Sequence, residues 1–370
     1  MMKIGILGAS YLQKPLVEKA NEMGLETHCF ALDNEAAVCK DIAHFFYPIS
    51  VLEKELILEE CIRIQINGIT TISTDICIPL INYIAEKLNL VANSYESGIA
   101  CTNKNRMREI FFKEKLNSPK FITLDQFEMS FLKGFKFPLI VKPTDRSGSR
   151  GVNKVSNEKE LESAYYVAIG ESIEKKVIIE EFIGGVEVSV ETISWKGKHY
   201  ILSITDKVTT NAPFFVELEH HQPSNLTIEI QNRIKENTLK ALDALDIQFG
   251  ASHTELKILD DGSIFFIEVG ARMGGDFIGS HLVKLSTGYD FVKGVIDVAL
   301  NEFEMPNILK NNYAGVYFLS KETERILPYF DKKNDFEVEK TKLSDSLVEI
   351  KNSNDRSGYL IYKAKKRIKL

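Results

Sequence analysis

The chain has 370 residues, of which 44% are hydrophobic and 26% are charged, so it is long enough to bury a large core in more than one domain. Its 46 basic and 52 acidic side chains give a formal charge of -6, which argues against nucleic acid as a partner. No apolar run reaches the roughly 18 residues of a membrane span, and the five cysteines form no C-x-x-C pair, so we expect a protein of the reducing cytoplasm without a zinc site.

Residues 1–98 alternate strand-like and helix-like runs, as expected for a doubly wound parallel α/β domain. The predicted strands and helices cover residues 3–7, 16–22, 26–32, 53–63, 69–73 and 78–88. The turn after the first strand has Gly5 and Gly8 in a G-x-x-G spacing, which differs from the G-x-G-x-x-G spacing of dinucleotide sites. A nicotinamide cofactor is therefore not expected.

Asp75 follows the strand predicted at residues 69–73 and has two interpretations. Ligand-binding groups of open α/β sheets gather at the carboxyl ends of strands, so Thr74 and Asp75 could contact a ligand. Asp75 taken alone is better explained as the N-cap of a helix that begins near Ile76.

A lysine-rich helix predicted at residues 104–116 precedes a buried strand that ends at Lys142 and Pro143, which brings an ammonium group to the sheet edge. Residues 144–151 then form a Gly/Ser loop, whose backbone N–H groups can cradle phosphate and whose mobility permits closure. A surface loop without a ligand has the same composition. The chain has no G-x-x-x-x-G-K-[ST] motif, which excludes a P-loop NTPase.

A second pair of strand-like runs flanks Gly184 and Gly185. The run before the glycines contains Glu180 and Glu181, and the run after them places Glu187 on the face opposite its valines. Such a hinge suits a purine nucleotide, because main-chain groups can meet the adenine edge while a carboxylate meets the ribose hydroxyls. The alternative is an amphipathic strand at the edge of a sheet.

The stretch from Glu255 to Glu268 predicts a β-hairpin, because an Asp-Gly pair at 261–262 lies between two β-rich runs. With that pair as the loop, Lys257 pairs with Phe266, and Glu255 faces Glu268 at roughly 5 Å. Two facing carboxylates repel each other unless a cation lies between them, and Mg2+ or Mn2+ fits that place. A solvated hairpin is the alternative, because a longer turn would shift the register.

The order of these motifs resembles the ATP-grasp superfamily over most of the chain. Within it the chain is most similar to the carboxylate-amine ligases, the branch that includes the L-amino acid ligases and shares the grasp of biotin carboxylase. The resemblance is carried by Lys104, Lys142, residues 144–151 and 180–187, the hairpin from 255 to 268, residues 270–276, and the substrate-region segments 206–210, 213–217 and 220–224.

The resemblance implies a fold of mixed α/β and α+β class. An N-terminal α/β domain at residues 1–98 would precede a two-lobed ATP-grasp core at 99–302, with a mobile lobe near 140–200. A small C-terminal domain would follow at 303–370.

The same resemblance assigns roles to individual residues. The implied ATP-binding residues are Lys104, Lys142, Ser147, Gly148, Ser149, Glu180, Glu181, Phe182, Ile183 and Glu187. The lysines would hold the phosphates under the loop, Glu180 and the backbone of 181–183 would take the adenine, and Glu187 the ribose. The implied catalytic residues are Lys142, Glu255, Glu268 and Arg272. Of these, Glu255 and Glu268 would be the ligands of Mg2+ or Mn2+.

One departure from the family pattern concerns the metal strand. Many ATP-grasp ligases have Glu-x-Asn-x-Arg there, whereas this chain has Gly270 between Glu268 and Arg272. The carboxamide that often completes the metal shell is absent, so we expect water or substrate in its position.

The implied chemistry is activation of a carboxylate by ATP as an acyl phosphate, which an amine then converts to an amide. Arg272 would lie at the transferred phosphoryl group, with Gly274 and Gly275 letting the backbone come close. Glu217, His220 and His221 are candidates for holding or deprotonating the amine, since a histidine titrates near neutral pH. Ordinary loop histidines are the alternative for that pair, and we interpret His253 as a structural neighbour of Glu255.

The expected partners are small carboxylates and amines, and a homodimer is an expectation from the resemblance alone. Two rival functions share the same ATP site. A carboxylating or carbamoyl-type ligase of nucleotide metabolism would use bicarbonate, which residues 217–224 do not favour. A non-catalytic nucleotide sensor has no need of Lys142, Glu255, Glu268 and Arg272 together.

Overall fold

The structure is a computed structural model that describes residues 1–148, 150–210, 212, 214–309 and 312–370. Ser149 of the predicted ATP site and Pro213 of the predicted substrate region lie outside the described residues. None of the helices within these ranges is long and apolar enough to cross a membrane.

The N-terminal sheet is parallel, in the order β3-β2-β1-β4, and Lys3 lies opposite Glu26. Its strands are β1 (Lys3–Leu7), β2 (Glu26–Phe30), β3 (Phe45–Tyr47) and β4 (Gly68–Thr70). Its helices are α1 (Lys14–Glu22), α2 (Lys54–Ile64), α3 (Ile78–Leu88) and α4 (Tyr95–Thr102). The predicted parallel α/β class is confirmed. The sequence did not predict β3 and α4, because β3 has only three residues and α4 lacks a strong apolar face.

A four-stranded antiparallel sheet follows, in the order β5-β8-β6-β7. Its elements are β5 (Phe121–Leu124), β6 (Leu139–Pro143), β7 (Asn153–Val155), α6 (Glu158–Glu171) and β8 (Val177–Glu181), and helix α5 (Lys104–Lys113) precedes them. Lys142 is paired with Ile178 and Glu180 with Ile140, so both side chains belong to neighbouring strands.

The third sheet is antiparallel and has eight strands in the order β13-β12-β9-β10-β11-β14-β16-β15. Its strands are β9 (Val186–Trp195), β10 (Lys198–Thr209), β11 (Glu217–Gln222), β12 (Gly250–Ile258), β13 (Ile264–Gly270), β14 (Tyr313–Leu319), β15 (Glu337–Lys342) and β16 (Gly358–Ala364). The associated helices are α7 (Ile228–Ala244), α8 (Val283–Thr287) and α9 (Phe291–Ala299), with a short π-helix (Ile278–Leu282) before α8. The C-terminal strands thus continue the large sheet, and the domain boundaries read from the sequence stay a prediction.

The strand after Gly185 is an interior strand. β9 pairs with β12 on one side and β10 on the other, and Val188 and Val190 are fully buried. The alternative of an amphipathic edge strand is therefore wrong. Because β8 and β9 belong to different sheets, the two glycines join the small antiparallel sheet to the large one.

The hairpin of β12 and β13 places Glu255 opposite Glu268, as predicted, but by a different route. The turn is longer than two residues: Leu259 N–H donates to Ser263 O at 2.9 Å, and Lys257 pairs with Phe265 instead of Phe266. A β-bulge at Ile267 then shifts the register back by one residue before the glutamates.

One apolar cluster spans the N-terminal sheet and the large sheet. It includes Ile69 and Ile81 from the N-terminal unit together with Val190 and Phe266 from the large sheet. This shared core fixes the end of β4 against the strands that carry Glu255 and Glu268.

Candidate active site

Helix α5 presents two cations to the space between the antiparallel sheets. Asn103 caps the helix by accepting from Arg106 N–H at 3.1 Å, so the helix begins at Lys104. Lys104 and Arg108 are four residues apart and therefore lie on one face. Lys104 Nζ donates to Glu268 Oε1 at 3.0 Å and to the carbonyl of Arg146 at 2.7 Å.

Glu180 holds two buried cations at once. Its Oε1 accepts from Arg108 Nε at 2.6 Å, and its Oε2 lies 2.7 Å from Lys142 Nζ. Burial alone raises the pKa of Glu180, but Arg108 and Lys142 outweigh it and lower that pKa to about 2. Burial, with help from Arg108, also lowers the pKa of Lys142 against the pull of Glu180. One carboxylate facing two cations leaves positive charge available for an anion.

The side chain of Glu180 is thus committed to Arg108 and Lys142, and the structure does not place it at the hinge surface. Arg108 also donates from Nη2 to the carbonyl of Ile267, the bulge residue next to Glu268, at 2.6 Å. The fully buried Arg108 therefore connects the strand of Glu180 to the strand of Glu268.

The Gly/Ser loop lies beside Lys104. The carbonyl of Arg146 accepts from Lys104, Ser147 is half-buried, and Gly148 is exposed with a positive φ of 67°. A cation and a loop of polar backbone thus meet at the same point, which is the arrangement that phosphate oxygens require.

The hinge backbone is partly used by the small sheet. Glu181 N–H donates to Lys120 O at 2.9 Å, and Phe182 N–H donates to Pro138 O at 3.0 Å. Within the described ranges no hydrogen-bond partner is recorded for the N–H of Ile183. Lys154 Nζ lies 3.8 Å from the centroid of the Phe182 ring, so this surface also offers a ring face and a cation.

The facing carboxylates of Glu255 and Glu268 are each held by cations. Glu255 Oε1 lies 2.6 Å from Lys207 Nζ and 3.2 Å from His253 Nε2. Burial raises the pKa of Glu255, but Lys207 and His253 hold it well below its usual range. His253 is bonded on its other side to Glu191, which confirms its place beside Glu255.

Lys207 is buried and lies among three half-buried carboxylates. Its Nζ lies 2.9 Å from Glu187 Oε1, 2.6 Å from Glu255 Oε1 and 3.8 Å from Glu217 Oε1. Burial alone lowers the pKa of Lys207, but the three carboxylates raise it well above its usual range. Lys207 therefore stays protonated. It contacts the carboxylates predicted to bind the ribose (Glu187), the metal ion (Glu255) and the substrate (Glu217).

Arg272 is bound by Asp75 of the N-terminal unit. Asp75 Oδ1 accepts from Arg272 Nε at 2.8 Å, and Oδ2 accepts from Nη2 at 3.0 Å. Helix α3 begins at Ile78 with Cys77 as its N-cap residue. The prediction of Asp75 as a helix cap is therefore wrong, because a buried arginine competes successfully for its carboxylate.

Gly274 and Gly275 differ in how much room they leave. Gly274 N–H donates to Glu191 Oε2 at 2.9 Å, and a Cβ at 274 would lie 2.7 Å from His253 Nδ1. A Cβ at Gly275 would make only an ordinary contact with Ser73, at 3.5 Å. The close approach of this pair to the phosphoryl group stays a prediction, and the packing around Gly274 leaves no room for a side chain there.

Four side chains form the part of the site beyond Lys207. Arg356 Nη2 lies 2.8 Å from Asp276 Oδ2 and 3.3 Å from Glu217 Oε2, and His220 Nε2 lies 4.0 Å from Asp276 Oδ2. Burial raises the pKa of Glu217, Lys207 opposes that shift, and Asp276 adds to it. A carboxylate with a raised pKa accepts a proton more readily than an ordinary one.

The structure does not bring His221 into this group. His221 lies on the other face of β11, where Nδ1 is 3.0 Å from Tyr362 Oη and Nε2 is 2.9 Å from Glu219 Oε2. Its ring packs against Tyr317 and Tyr362. Consecutive residues of a strand point to opposite faces, which is why only His220 faces the site.

We expect His220 to be neutral at neutral pH. Burial lowers its pKa to about 4, against the pull of Asp276. Because the folded pKa lies below the ordinary 6.5, the contribution of His220 to stability is complete above about pH 6.5 and is lost as the pH falls towards 4. NMR titration of the ring, assigned against His220→Gln, checks this expectation. A midpoint at or above 6.5 would contradict it.

Sequence analysis missed Arg108, Lys207, Asp276 and Arg356 as members of the site. Arg108 was detectable, since it lies four residues after Lys104 on the same helix face. Lys207 lies opposite Glu187 in the β9–β10 pair, so a known register would have found it. Asp276 ended the motif at residues 270–276 but had no role assigned to it, and Arg356, 80 residues later, carries no local signal.

Comparisons with known proteins find a matching family and similar ligases. A family model described as an ATP-grasp domain matches residues 135–280. Alanine–anticapsin ligase of Bacillus subtilis (strain 168) is 26% identical over 326 residues, which cover 78% of this chain and 68% of that protein.

Two solved structures share the fold over nearly the whole chain. An L-amino acid ligase from Bacillus licheniformis has a TM-score of 0.82 and 25% identity, covering 99% of this chain and 94% of that one. The N5-carboxyaminoimidazole synthetase from Staphylococcus aureus complexed with ADP has a TM-score of 0.80 at 16% identity, covering 99% and 94% of the two chains, and shows the fold alone. The motif-based resemblance to the ATP-grasp superfamily is confirmed, since residues 135–280 match its domain model and the chain is similar to amino acid ligases.

Proposed function

We propose that this protein is an ATP-dependent carboxylate-amine ligase that forms an amide or peptide bond and releases ADP and phosphate. The observation that carries the proposal is the meeting of Lys104, Lys142 and the facing pair Glu255 and Glu268 between the two antiparallel sheets. Cations for phosphate and carboxylates for a metal ion lie next to each other there, as phosphoryl transfer requires.

ATP would lie along the seam between the small and the large sheet. Lys104, Lys142 and the loop at residues 144–151 would hold the phosphates. The free N–H of Ile183 and the backbone around it would meet the adenine edge, and Glu187 would meet the ribose. Glu180 would act on the nucleotide through Lys142, because its carboxylate is buried against that ammonium.

The two glutamates suit Mg2+ or Mn2+. No group of three His, Cys, Asp or Glu side chains is arranged to hold an ion within the described residues, which are 1–148, 150–210, 212, 214–309 and 312–370. A site of two carboxylates therefore needs phosphate oxygens to complete it, which is the way proteins usually hold Mg2+. Held by Glu255 and Glu268, the ion would neutralise charge on the phosphates.

The residues of the chain support two successive steps. In the first, a carboxylate oxygen of the acid attacks the γ-phosphorus, and the bond to the β–γ bridging oxygen breaks to release ADP. Lys142 and Arg272 would stabilise the charge on the transferred group. Closure of the Gly/Ser loop would exclude water from the acyl phosphate.

In the second step the amine nitrogen attacks the acyl carbon and phosphate leaves with the bridging oxygen. The nitrogen must lose a proton, and Glu217, with its raised pKa, is suited to accept it. His220 would stay neutral and could take part in the same proton transfer. His221 lies outside this step because it faces the tyrosine cluster.

Amino acids or other small carboxylates are the proposed acids. The relatives named as alanine–anticapsin ligase and L-amino acid ligase support this class. Glu217 and Asp276 would hold an ammonium group, and Arg356 beside them would hold a carboxylate. An α-amino acid carries both charges.

The test is release of ADP and phosphate with Mg-ATP across pairwise combinations of amino acids and small carboxylates, with mass spectrometry of the products. Glu268→Gln, purified in the same way, is the blank for contaminating ATPases. Release that needs both an acid and an amine, with their amide as the product, is expected. Release that needs bicarbonate would establish the carboxylating rival instead, and binding of ATP without turnover would favour a sensor.

The homodimer stays a prediction from the resemblance, and the cytoplasmic location stays a prediction from the cysteine pattern. Light scattering of the purified protein tests the expected homodimer, and fractionation of cells tests the expected cytoplasmic location.

A further inference from the structure

A two-point ion pair joins the N-terminal unit to the strand that carries Glu268. Both oxygens of Asp75 accept from Arg272, at 2.8 and 3.0 Å, and Asp75 is only 4% exposed. Burial raises the pKa of Asp75, but Arg272 outweighs it and lowers that pKa below its usual range. A paired fork of this kind fixes the plane of the guanidinium as well as its position.

Gly270 makes room for this pair. A Cβ at 270 would lie 2.5 Å from Asp75 Oδ1, closer than real Cβ atoms approach, and 3.0 Å from Arg272 Nε, which is a tight contact. Any side chain at this position, two residues after Glu268, would displace the carboxylate of Asp75. The absence of a side chain at Gly270 is therefore what allows the carboxylate of Asp75 to lie beside Arg272.

The segment that carries Asp75 is fixed on the loop after Arg272. Ser73 N–H donates to Met273 O at 3.1 Å, and Ser73 has a positive φ of 61°. Such a conformation is strained for a residue other than glycine and persists only where the surroundings impose it. Here it turns the chain at the end of β4 so that Asp75 reaches Arg272.

We infer that Asp75 is a positioning residue that aims Arg272 at the transferred phosphoryl group, so that the N-terminal unit completes the active site. The guanidinium has five N–H donors, of which Asp75 takes two. Nη1 also donates to the carbonyl of Met273 at 3.4 Å, which leaves two donors for the transferred group. The role of Arg272 at the phosphoryl group rests on the proposed function. The way in which Asp75 holds Arg272 rests on geometry alone.

The first test is Asp75→Asn, which keeps the size of the side chain and removes the charge and one acceptor. We expect kcat to fall about 100-fold, because a misplaced catalytic group costs that much, while the KM for ATP stays close to that of the wild type. The matched control is Asp297→Asn, since Asp297 is a buried carboxylate of α9 paired with Lys293 at 2.6 Å. The control should keep its kcat. A kcat of Asp75→Asn equal to that of the wild type would overturn the inference.

The second test needs no activity. Gly270→Ala is made in the wild type and in Asp75→Ala, and the fall in melting temperature is measured in each. We expect the fall to be clearly smaller in Asp75→Ala, because the oxygen that the new Cβ would strike is gone. An equal fall in both backgrounds would overturn the inference. A wild-type protein that makes no amide would count against the proposed function. The comparison of melting temperatures would still show whether Asp75 lies against Gly270 and Arg272.

Discussion

Glu268→Gln is expected to lower kcat about 1000-fold, the size of effect seen when a group that stabilises transition-state charge is removed. The amide keeps the shape of the side chain but cannot offer a negative oxygen to a metal ion. Glu268 suits this test better than Glu255, because the ion pair described for it is to Lys104, at 3.0 Å. Glu255 is paired with both Lys207 and His253, so its replacement would disturb more contacts.

The measurements are ADP release and the affinity for Mn2+ in the presence of a non-hydrolysable ATP analogue, followed by electron paramagnetic resonance. We expect the Mn2+ affinity to fall about tenfold or more. Glu219→Gln is the control, since Glu219 lies on the opposite face of β11 and is bonded to His221 at 2.9 Å. Wild-type Mn2+ affinity in Glu268→Gln would show that this carboxylate is not a metal ligand.

Arg108→Met is expected to lower the free energy of unfolding by about 3–5 kcal/mol, because it breaks a buried ion pair from one side. Arg108 is fully buried, and its loss leaves Glu180, which is 2% exposed, with Lys142 as its remaining cation. The carbonyl of Ile267 would lose its donor as well. Urea unfolding at neutral pH measures the effect.

Arg106→Met is the matched control for Arg108. Arg106 lies on the same helix, its side chain is 67% exposed, and its pair with Glu109 is 3.6 Å long. Exposed pairs of this kind contribute little, so we expect almost no change in stability. Similar losses for the two variants would mean that Arg108 is not the buried link between the sheets.

The facing glutamates show how a sequence prediction can succeed although its details fail. Counting from an Asp-Gly turn paired Glu255 with Glu268, but the turn is longer and shifts the register by one residue. The bulge at Ile267 shifts it back, and Arg108 binds the carbonyl of that residue. Pattern reasoning had no access to the bulge, because a tertiary contact from another helix stabilises it.

Local patterns predicted the Lys142 strand and the start of α5 at Lys104, since each depends on neighbouring residues. Contacts between distant segments were not predictable in the same way. Asp75 looked like a helix cap because the sequence does not show that Arg272, 197 residues later, lies beside it. Arg356 gave no signal at all, since its partners Asp276 and Glu217 are brought to it by the large sheet.

Transfer of oxygen from the acid to phosphate tests the central claim most directly. The acid of the active pair is labelled with 18O in both carboxylate oxygens and incubated with Mg-ATP and the amine, and the phosphate is analysed by mass spectrometry. An acyl phosphate requires one labelled oxygen to leave with the phosphate and the other to remain in the amide. Phosphate without label, released together with the amide, would contradict activation through an acyl phosphate.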